Sequence, residues 1–148
     1  MSASQATQGY ESTFSIGTGV SSPYTYTPMA ELKTIDFGGI KVAIIDVSNL
    51  SSPGGFREKI TGFKDGNTIT VSGNFIGDAT QLAILTAIMN GVAVPWMITA
   101  PVQNGTKTYT VTGMGIVTDR KIGPMEIDKA IEFSCTVDLT GPPVESVA

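Results

Sequence analysis

Hydrophobic and polar positions alternate with period two along much of this chain, most plainly from Ile131 to Thr140. There Ile131, Phe133, Cys135, Val137 and Leu139 interleave with Glu132, Ser134, Thr136, Asp138 and Thr140. That is the pattern of a strand with one apolar and one polar face. Gly141-Pro142-Pro143 predicts its end, with residues 144–148 as a short tail. The same period runs from Asn67 to Ile76, where Ile69, Val71, Gly73 and Phe75 face away from Thr68, Thr70, Ser72 and Asn74. Asp65-Gly66 in front of it is a two-residue turn signal, predicting a hairpin with Phe56 to Lys64. A second hairpin is predicted for Val94–Val102 and Thr106–Thr118 about Asn104-Gly105. Pro95 and Pro101 restrict its first strand to an edge or to its ends. Tyr24 to Asp36 reads as extended, with Pro28 at an edge or bend and Gly38-Gly39 as the stop. Lys41 to Val47 reads as a short apolar strand and Ser48 to Gly55 as a flexible loop.

One segment changes period. Asp78 has the chemistry of a helix N-cap, and Asn90-Gly91 that of a stop. Between them, Ala79 to Asn90 carries Leu82, Leu85 and Met89 on one stripe, with Ile84 and Ile88 beside it. Ala79, Ala83 and Ala87 form a small-residue stripe. So little of this helix is polar that more than one side is expected to be covered, by the protein's own sheet and by a second subunit.

With 148 residues, the chain is long enough for one domain with a core. Residues 1–22 read as a flexible N-terminal arm with little core of its own, and 23–143 as a single domain. Six to eight strands and one helix place the fold in the mainly-β or α+β class. Charged residues make up only 15%, below the usual quarter, which leaves a Thr- and Ser-rich surface tolerant of contact with other protein. The net charge of −4 argues against nucleic-acid binding through a basic patch.

Candidate chemistry is sparse. There is no histidine and one cysteine, Cys135, which excludes intrachain disulfides, His/Cys zinc sites and His-dependent triads. The carboxylates are scattered singly; Asp65 reads as a turn residue and Asp78 as a cap. Cys135 falls in the apolar phase of its strand, so packing is its expected role. The Ser- and Gln-rich start lacks the basic and apolar regions of a signal peptide. No apolar run reaches the roughly 18 residues of a membrane span. No catalytic residue, cofactor site or metal site is expected, nor is a membrane partner. The expected class is an assembly subunit folded in a cytoplasm.

The segment VSNLSSPGGFREKITGFKDGNTITVSGNF resembles the tail tube (major tail) proteins of long, flexible-tailed bacteriophages, the lambda-like tail tube family. The matching residues are Glu58, Ile60, Gly62, Asp65, Gly66, Gly73, Asn74 and Phe75. DATQLAILTAIMNG is similar to the family's single helix, GTKTYTVTGMGIVTD to its penultimate strand and FSCTVDLTGPP to its closing strand. The resemblance spans Tyr24 to Pro143. It implies a small β-sandwich or barrel with one flanking helix, and no enzyme activity. It implies copies of the chain in rings of six, with neighbouring sheets joined around a channel and rings stacked into a tube that conducts DNA. By the same resemblance the partners are the chain itself, a tape-measure protein, a tail terminator and assembly chaperones, and the location is the virion tail after assembly in the bacterial cytoplasm.

Within that picture, Ser48, Asn49, Leu50, Ser51, Ser52 and Pro53 are candidate ring contacts, with Phe14, Ile16 and Trp96. Glu132, Ser134, Thr136 and Asp138 are candidate channel-lining residues. They form one polar strand face, which looks either into the channel or out from the tube, because alternation fixes sides but not which side is the lumen. Two other readings are a tube protein of a contractile tail or type VI secretion apparatus, and a soluble ligand-binding β-barrel.

Overall fold

A computed structural model describes residues 3–19 and 23–148. Among them are nine strands and one α-helix: β1 (Thr13–Thr18), β2 (Thr25–Pro28), β3 (Leu32–Phe37), β4 (Ile40–Asp46), β5 (Lys59–Gly66), β6 (Thr68–Asn74), α1 (Ala79–Asn90), β7 (Val94–Val102), β8 (Lys107–Ile122) and β9 (Glu132–Val147). Seven strands form one antiparallel sheet in the order β2-β1-β7-β8-β9-β6-β3, and β4 and β5 form a separate ribbon. The large sheet is open: β2 and β3 are its edges. It nevertheless surrounds a single core. Phe14 of β1, Trp96 of β7, Val111 of β8, Phe133 and Val137 of β9, and Ile69 and Val71 of β6 are all buried in one cluster, and Ile84 of α1 closes it. A sheet whose second through sixth strands share one core must curl around it, with the helix as the lid.

The alternation of β6 holds as predicted. Ile69, Val71 and Gly73 are buried, while Thr68 and Thr70 are exposed. The turn ahead of it does not. Asp65-Gly66 is the end of β5, paired with Lys41 and Ile40 of β4, and β6 pairs instead with β3 and β9. The turn that joins β4 to β5 lies farther back, at 47–58. The reason is continuity: β3 runs through Gly38-Gly39 into β4, and β5 runs through Asn67 into β6. At this junction Gly38 N–H donates to Thr68 O at 2.9 Å, Asn67 N–H to Gly39 O at 2.9 Å, and Asn67 Nδ2 to Gly38 O at 2.9 Å. The four strands are therefore one long hairpin, bent at Gly38-Gly39 and Asn67, whose outer half leaves the sheet.

Two boundaries also differ. The segment 1–22 is not without a core, because β1 lies between β2 and β7 and its Phe14 is fully buried; residues 1, 2 and 20–22 lie outside the described residues. Residues 144–148 are not a tail. β9 continues through Gly141-Pro142-Pro143 and pairs with β8 as far as Val147 opposite Tyr109. Gly141, at φ 79°, and a register shift let the strand absorb the prolines while its backbone partners change.

Helix α1 starts and stops where its caps predict. The Asp78 carboxylate accepts the Gln81 N–H at 3.1 Å, and Gly91 takes the left-handed conformation. Its facing is decided by hydrogen bonding. Gln81, Ile84 and Ala87 are buried, while Leu82, Leu85 and Met89 are exposed. Gln81 is buried because four backbone groups need it. Its Oε1 accepts from Ile76 N–H at 2.9 Å and Gly77 N–H at 3.0 Å. Its Nε2 donates to Asn74 O at 2.8 Å and Ala30 O at 3.3 Å. One side chain thus ties the helix start, the end of β6 and the turn before β3. A Gln81→Leu substitution, which keeps the bulk and deletes the amide, leaves those four groups unpaired. At about 1–3 kcal/mol for an unsatisfied buried group, partly offset by water reaching the loop, a loss of about 3 kcal/mol is expected, read as a lower midpoint in urea unfolding.

Candidate assembly surfaces

Three surfaces stand out. The first is the polar face of the large sheet. Register places Thr34, Ser72, Ser134 and Lys121 in one row across β3, β6, β9 and β8, and Asp36, Thr70, Thr136 and Asp119 in the next. Thr68 and Asp138 share a third row, and Asn74 and Glu132 a fourth. So Glu132, Ser134, Thr136 and Asp138 do lie on one face, joined by the hydroxyls of β6. Glu132 and Asp138 are exposed, and Ser134 and Thr136 half-buried. The charged groups here are Asp36, Asp119, Glu132 and Asp138 against Lys121, so the face is hydroxylated and acidic.

The second surface is the β4–β5 ribbon. Ile45 and Ile60 are cross-strand partners on one side, with Ala43 and Gly62 beside them. Ile44 points to the opposite side, as consecutive strand residues must. All three isoleucines are exposed, and Phe63, at the irregularity in β5, is 95% exposed. Both faces of the ribbon thus present apolar side chains to solvent, with a shallow apolar hollow between Ala43, Ile45, Gly62 and Phe63. Two strands alone are marginal in water, and a patch of this kind marks a contact surface.

At the ribbon's tip the six candidates Ser48 to Pro53 come together, but not as a slack loop. Ser48 N–H donates to Asp46 Oδ1 at 2.9 Å, Ser51 N–H to Asn49 Oδ1 at 2.8 Å, and Asn49 N–H to Ser52 Oγ at 2.9 Å. Glu58 N–H donates to Ser48 Oγ at 2.7 Å, and Ser52 Oγ–H to Glu58 Oε2 at 3.1 Å. Arg57 pairs with Asp46 at 2.8 Å. That pairing and the Ser48 hydrogen bonds hold the Asp46 carboxyl below its usual pKa, the Ser48 bonds counting most. The side chains of Ser48, Asn49 and Ser52 are spent within the turn, and the large groups the tip offers outward are Leu50 and Phe56, both exposed.

The third surface is the outward stripe of α1, Leu82, Leu85 and Met89, continued by Val92. Periodicity finds this stripe but not its direction.

Phe14, Ile16 and Trp96 do not join these surfaces. Phe14 and Trp96 are fully buried in the chain's own core, and Ile16 is packed against it. Trp96 lies against Phe37, ring centres 5.8 Å apart, and over Gly113, where a Cβ would come within 2.9 Å of the indole. The pairing of β1 with β7 sets Ile16 opposite Trp96, so the strand that reads as an arm supplies core. Cys135 is buried too; burial pushes its thiol up to about 12, so it stays protonated and inert.

No known family signature matches the chain, and no curated protein matches it in sequence. Solved structures do match in shape. The tail of an empty gene transfer agent (GTA) particle, refined helically with C6 symmetry, superposes with a TM-score of 0.74 at 15% identity, over 95% of this chain and 99% of that one. The SPP1 tail tube gives 0.67 at 17% identity, over 95% and 79%. A chain of the sheath/tube terminator of PVC, an extracellular contractile injection system in its extended state, gives 0.69 at 15%, over 98% and 99%. The fold is the one found in these tail and tube assemblies, along nearly the whole chain.

Proposed function

We propose that this protein is the repeating subunit of a tail tube: copies form six-fold rings, and the rings stack into a hollow conduit for DNA. The observation that carries the reading is the near full-length likeness to chains of tail and tube assemblies, one of them with C6 symmetry. The surfaces fit it. A subunit for a stacked tube needs contacts within a ring and contacts between rings. The free edges of the large sheet serve the first, and the apolar ribbon with Leu50 and Phe56 at its tip serves the second. The hydroxylated acidic face suits a channel wall. A duplex carries a phosphate charge about every 1.7 Å, and a wall with Asp36, Asp119, Glu132 and Asp138 against one lysine leaves DNA free to slide. The protein's role on this reading is structural, and its location the virion tail. Its partners beyond itself are those that start, measure and close a tube: a chaperone, a tape-measure protein and a terminator. The likeness to a PVC chain extends the reading to a tube inside a contractile sheath.

Negative-stain electron microscopy of the purified protein, with light scattering over a concentration series, tests this. Hollow tubes or six-fold rings are expected. A chain that stays monomeric at every concentration, also when mixed with preformed tube ends, overturns it.

A further inference from the structure

The β4–β5 ribbon is attached to the rest of the chain at two narrow places. Gly38-Gly39 joins β3 to β4, and Asn67 alone joins β5 to β6. Asn67 is tied in three directions. Its N–H donates to Gly39 O at 2.9 Å, its Nδ2 to Gly38 O at 2.9 Å, and its carbonyl accepts the Leu139 N–H at 3.3 Å. The first and last are backbone bonds that any residue with an N–H could make. The second belongs to this side chain. It falls at the bend itself, between the backbone bond from Gly38 N–H to Thr68 O on the sheet side and that from Asn67 N–H to Gly39 O on the ribbon side. No backbone N–H of the described residues reaches Gly38 O.

The joint is tight at one point and open beside it. A Cβ on Gly66 would stand 2.6 Å from the Leu139 Cβ, so the base of the ribbon rests directly on β9. Beyond that contact the two part, leaving a crease of about 590 Å³ with Ile40, Lys64 and Asp65 on the ribbon side and Leu139, Pro142 and Pro143 on the other. The sheet side of the joint is fixed. Phe37, the last residue of β3, packs against the buried Trp96, and Ile69, next to Thr68, is fully buried. The ribbon side holds itself together without a core: six register pairs join β4 to β5, and the hydrogen-bonded tip closes the far end.

We infer that Asn67 is the positioning residue of the ribbon: its side-chain amide clasps the bend and fixes the angle at which the ribbon leaves the sheet, and its release lets the ribbon swing as one body into the crease. The clasp suits release. Asn67 and Gly38 are exposed, so water can take over both ends of the bond and little is lost when it breaks. Gly39, at φ 80° with nothing within 4 Å of a Cβ, has both the room and the backbone freedom for the change. The crease supplies the opposing pull. Closing it brings the exposed Ile40 towards Leu139 and Pro142 and takes apolar surface out of water. On the tube reading above, on which this consequence rests, the ribbon carries the contact from one ring to the next. Its angle is then passed along the stack: held in every copy it gives a straight tube, and freed it gives a tube that bends.

The test reads the free subunit first. Spin labels on Phe63→Cys in the ribbon and Val144→Cys on β9, both exposed positions, report the distance between the two by pulsed electron spin resonance; the native Cys135 is buried and takes no label. Asn67→Ala and Asn67→Asp each delete the donor, and the second keeps the size of the side chain. Both are expected to broaden the distances and shift them shorter, while hydrogen exchange of the β6 and β9 amides stays as in the parent. Arg57→Ala, which breaks the ion pair at the tip, is expected to leave the distances unchanged. Parental distances in both Asn67 variants overturn the clasp. So does a change that Arg57→Ala shares, because the ribbon is then loosening as a whole. In tubes, Asn67→Ala is expected to keep the rings and shorten the persistence length measured from electron micrographs; tubes as stiff as the parent's overturn the link from ribbon angle to tube shape. No tubes from the unaltered protein overturns the tube reading and leaves the clasp standing on the free-subunit distances.

Discussion

A Gly73→Ala chain is expected to melt roughly 10 °C below the parent, although the change adds one methyl group. Gly73 sits next to the end of β6, opposite Leu32 at the start of β3, where the chain turns over it on the way into β3. A Cβ there would stand 2.3 Å from Glu31 O and 2.7 Å from the Leu32 Cα. Both are backbone atoms, so no side chain can rotate away to make room. Glu31 O is also the acceptor for Asn74 N–H at 3.0 Å, and the neighbouring Ala30 O receives the buried Gln81 amide. Moving the turn therefore loosens two hydrogen bonds as it relieves the clash. Overpacking costs about 1–3 kcal/mol and a lost buried hydrogen bond about 1 kcal/mol; together they amount to about 3 kcal/mol or more. Gly141→Ala is the control. Its φ of 79° is unfavourable for a side chain, but nothing lies within 4 Å, so about 1–2 kcal/mol is expected. Thermal unfolding of the two variants by circular dichroism separates them; equal melting temperatures would mean that the turn over Gly73 is soft.

The second large effect is expected on assembly rather than on folding. If the proposed tube forms, a Leu50→Asp, Phe56→Asp double variant should form none at concentrations where the parent does, while its melting curve stays put. Leu50 and Phe56 touch little within the chain, and exposed substitutions shift stability by about 0.5 kcal/mol or less. In a stacked tube each side chain is worth about 1.5–3 kcal/mol of burial. Replacing both with carboxylates removes that gain and adds the cost of desolvating a charge at every copy. Sedimentation of assembled material and the melting curve are read side by side. Tubes at parental yield would take the ribbon tip out of the ring contact.

What was legible in the sequence is what is encoded locally. The cap at Asp78, the stop at Gly91 and the helix between them depend on residues within four positions of one another. The face of β9 with Glu132, Ser134, Thr136 and Asp138 follows from alternation alone, and so does the hairpin about Asn104-Gly105. The errors share a cause, which is competition from a distant partner. Asp65-Gly66 has good turn chemistry, but β5 finds a longer partner in β4, and the register of the pair from β3 to β6 carries it straight past the turn. Trp96 and Phe14 read as interface residues because nothing near them in sequence covers them; their cover is each other's strands, more than eighty residues apart. The helix pattern names a stripe of Leu82, Leu85 and Met89 but does not say which side of the helix faces the core. Ile84, Ala87 and Gln81 take the inside because only Gln81 satisfies the backbone groups waiting there. Whether the polar face looks on a channel, in the proposed tube, depends on neighbouring copies, and no single chain encodes it visibly.

The bend at Gly38-Gly39 and Asn67 sends half of a long hairpin away from the core that the described residues share. Two strands with apolar residues on both sides gain little from each other and much from a surface that is already formed. For a subunit that builds the proposed tube, this separates growth from initiation. A lone pair of molecules offers each ribbon one unsteady partner, while the end of an existing ring offers six fixed ones. Elongation is then fast and downhill, and spontaneous starts are rare. A cell can hold a large pool of subunits without filling itself with stray tubes, and the number of tubes follows the number of starting points supplied.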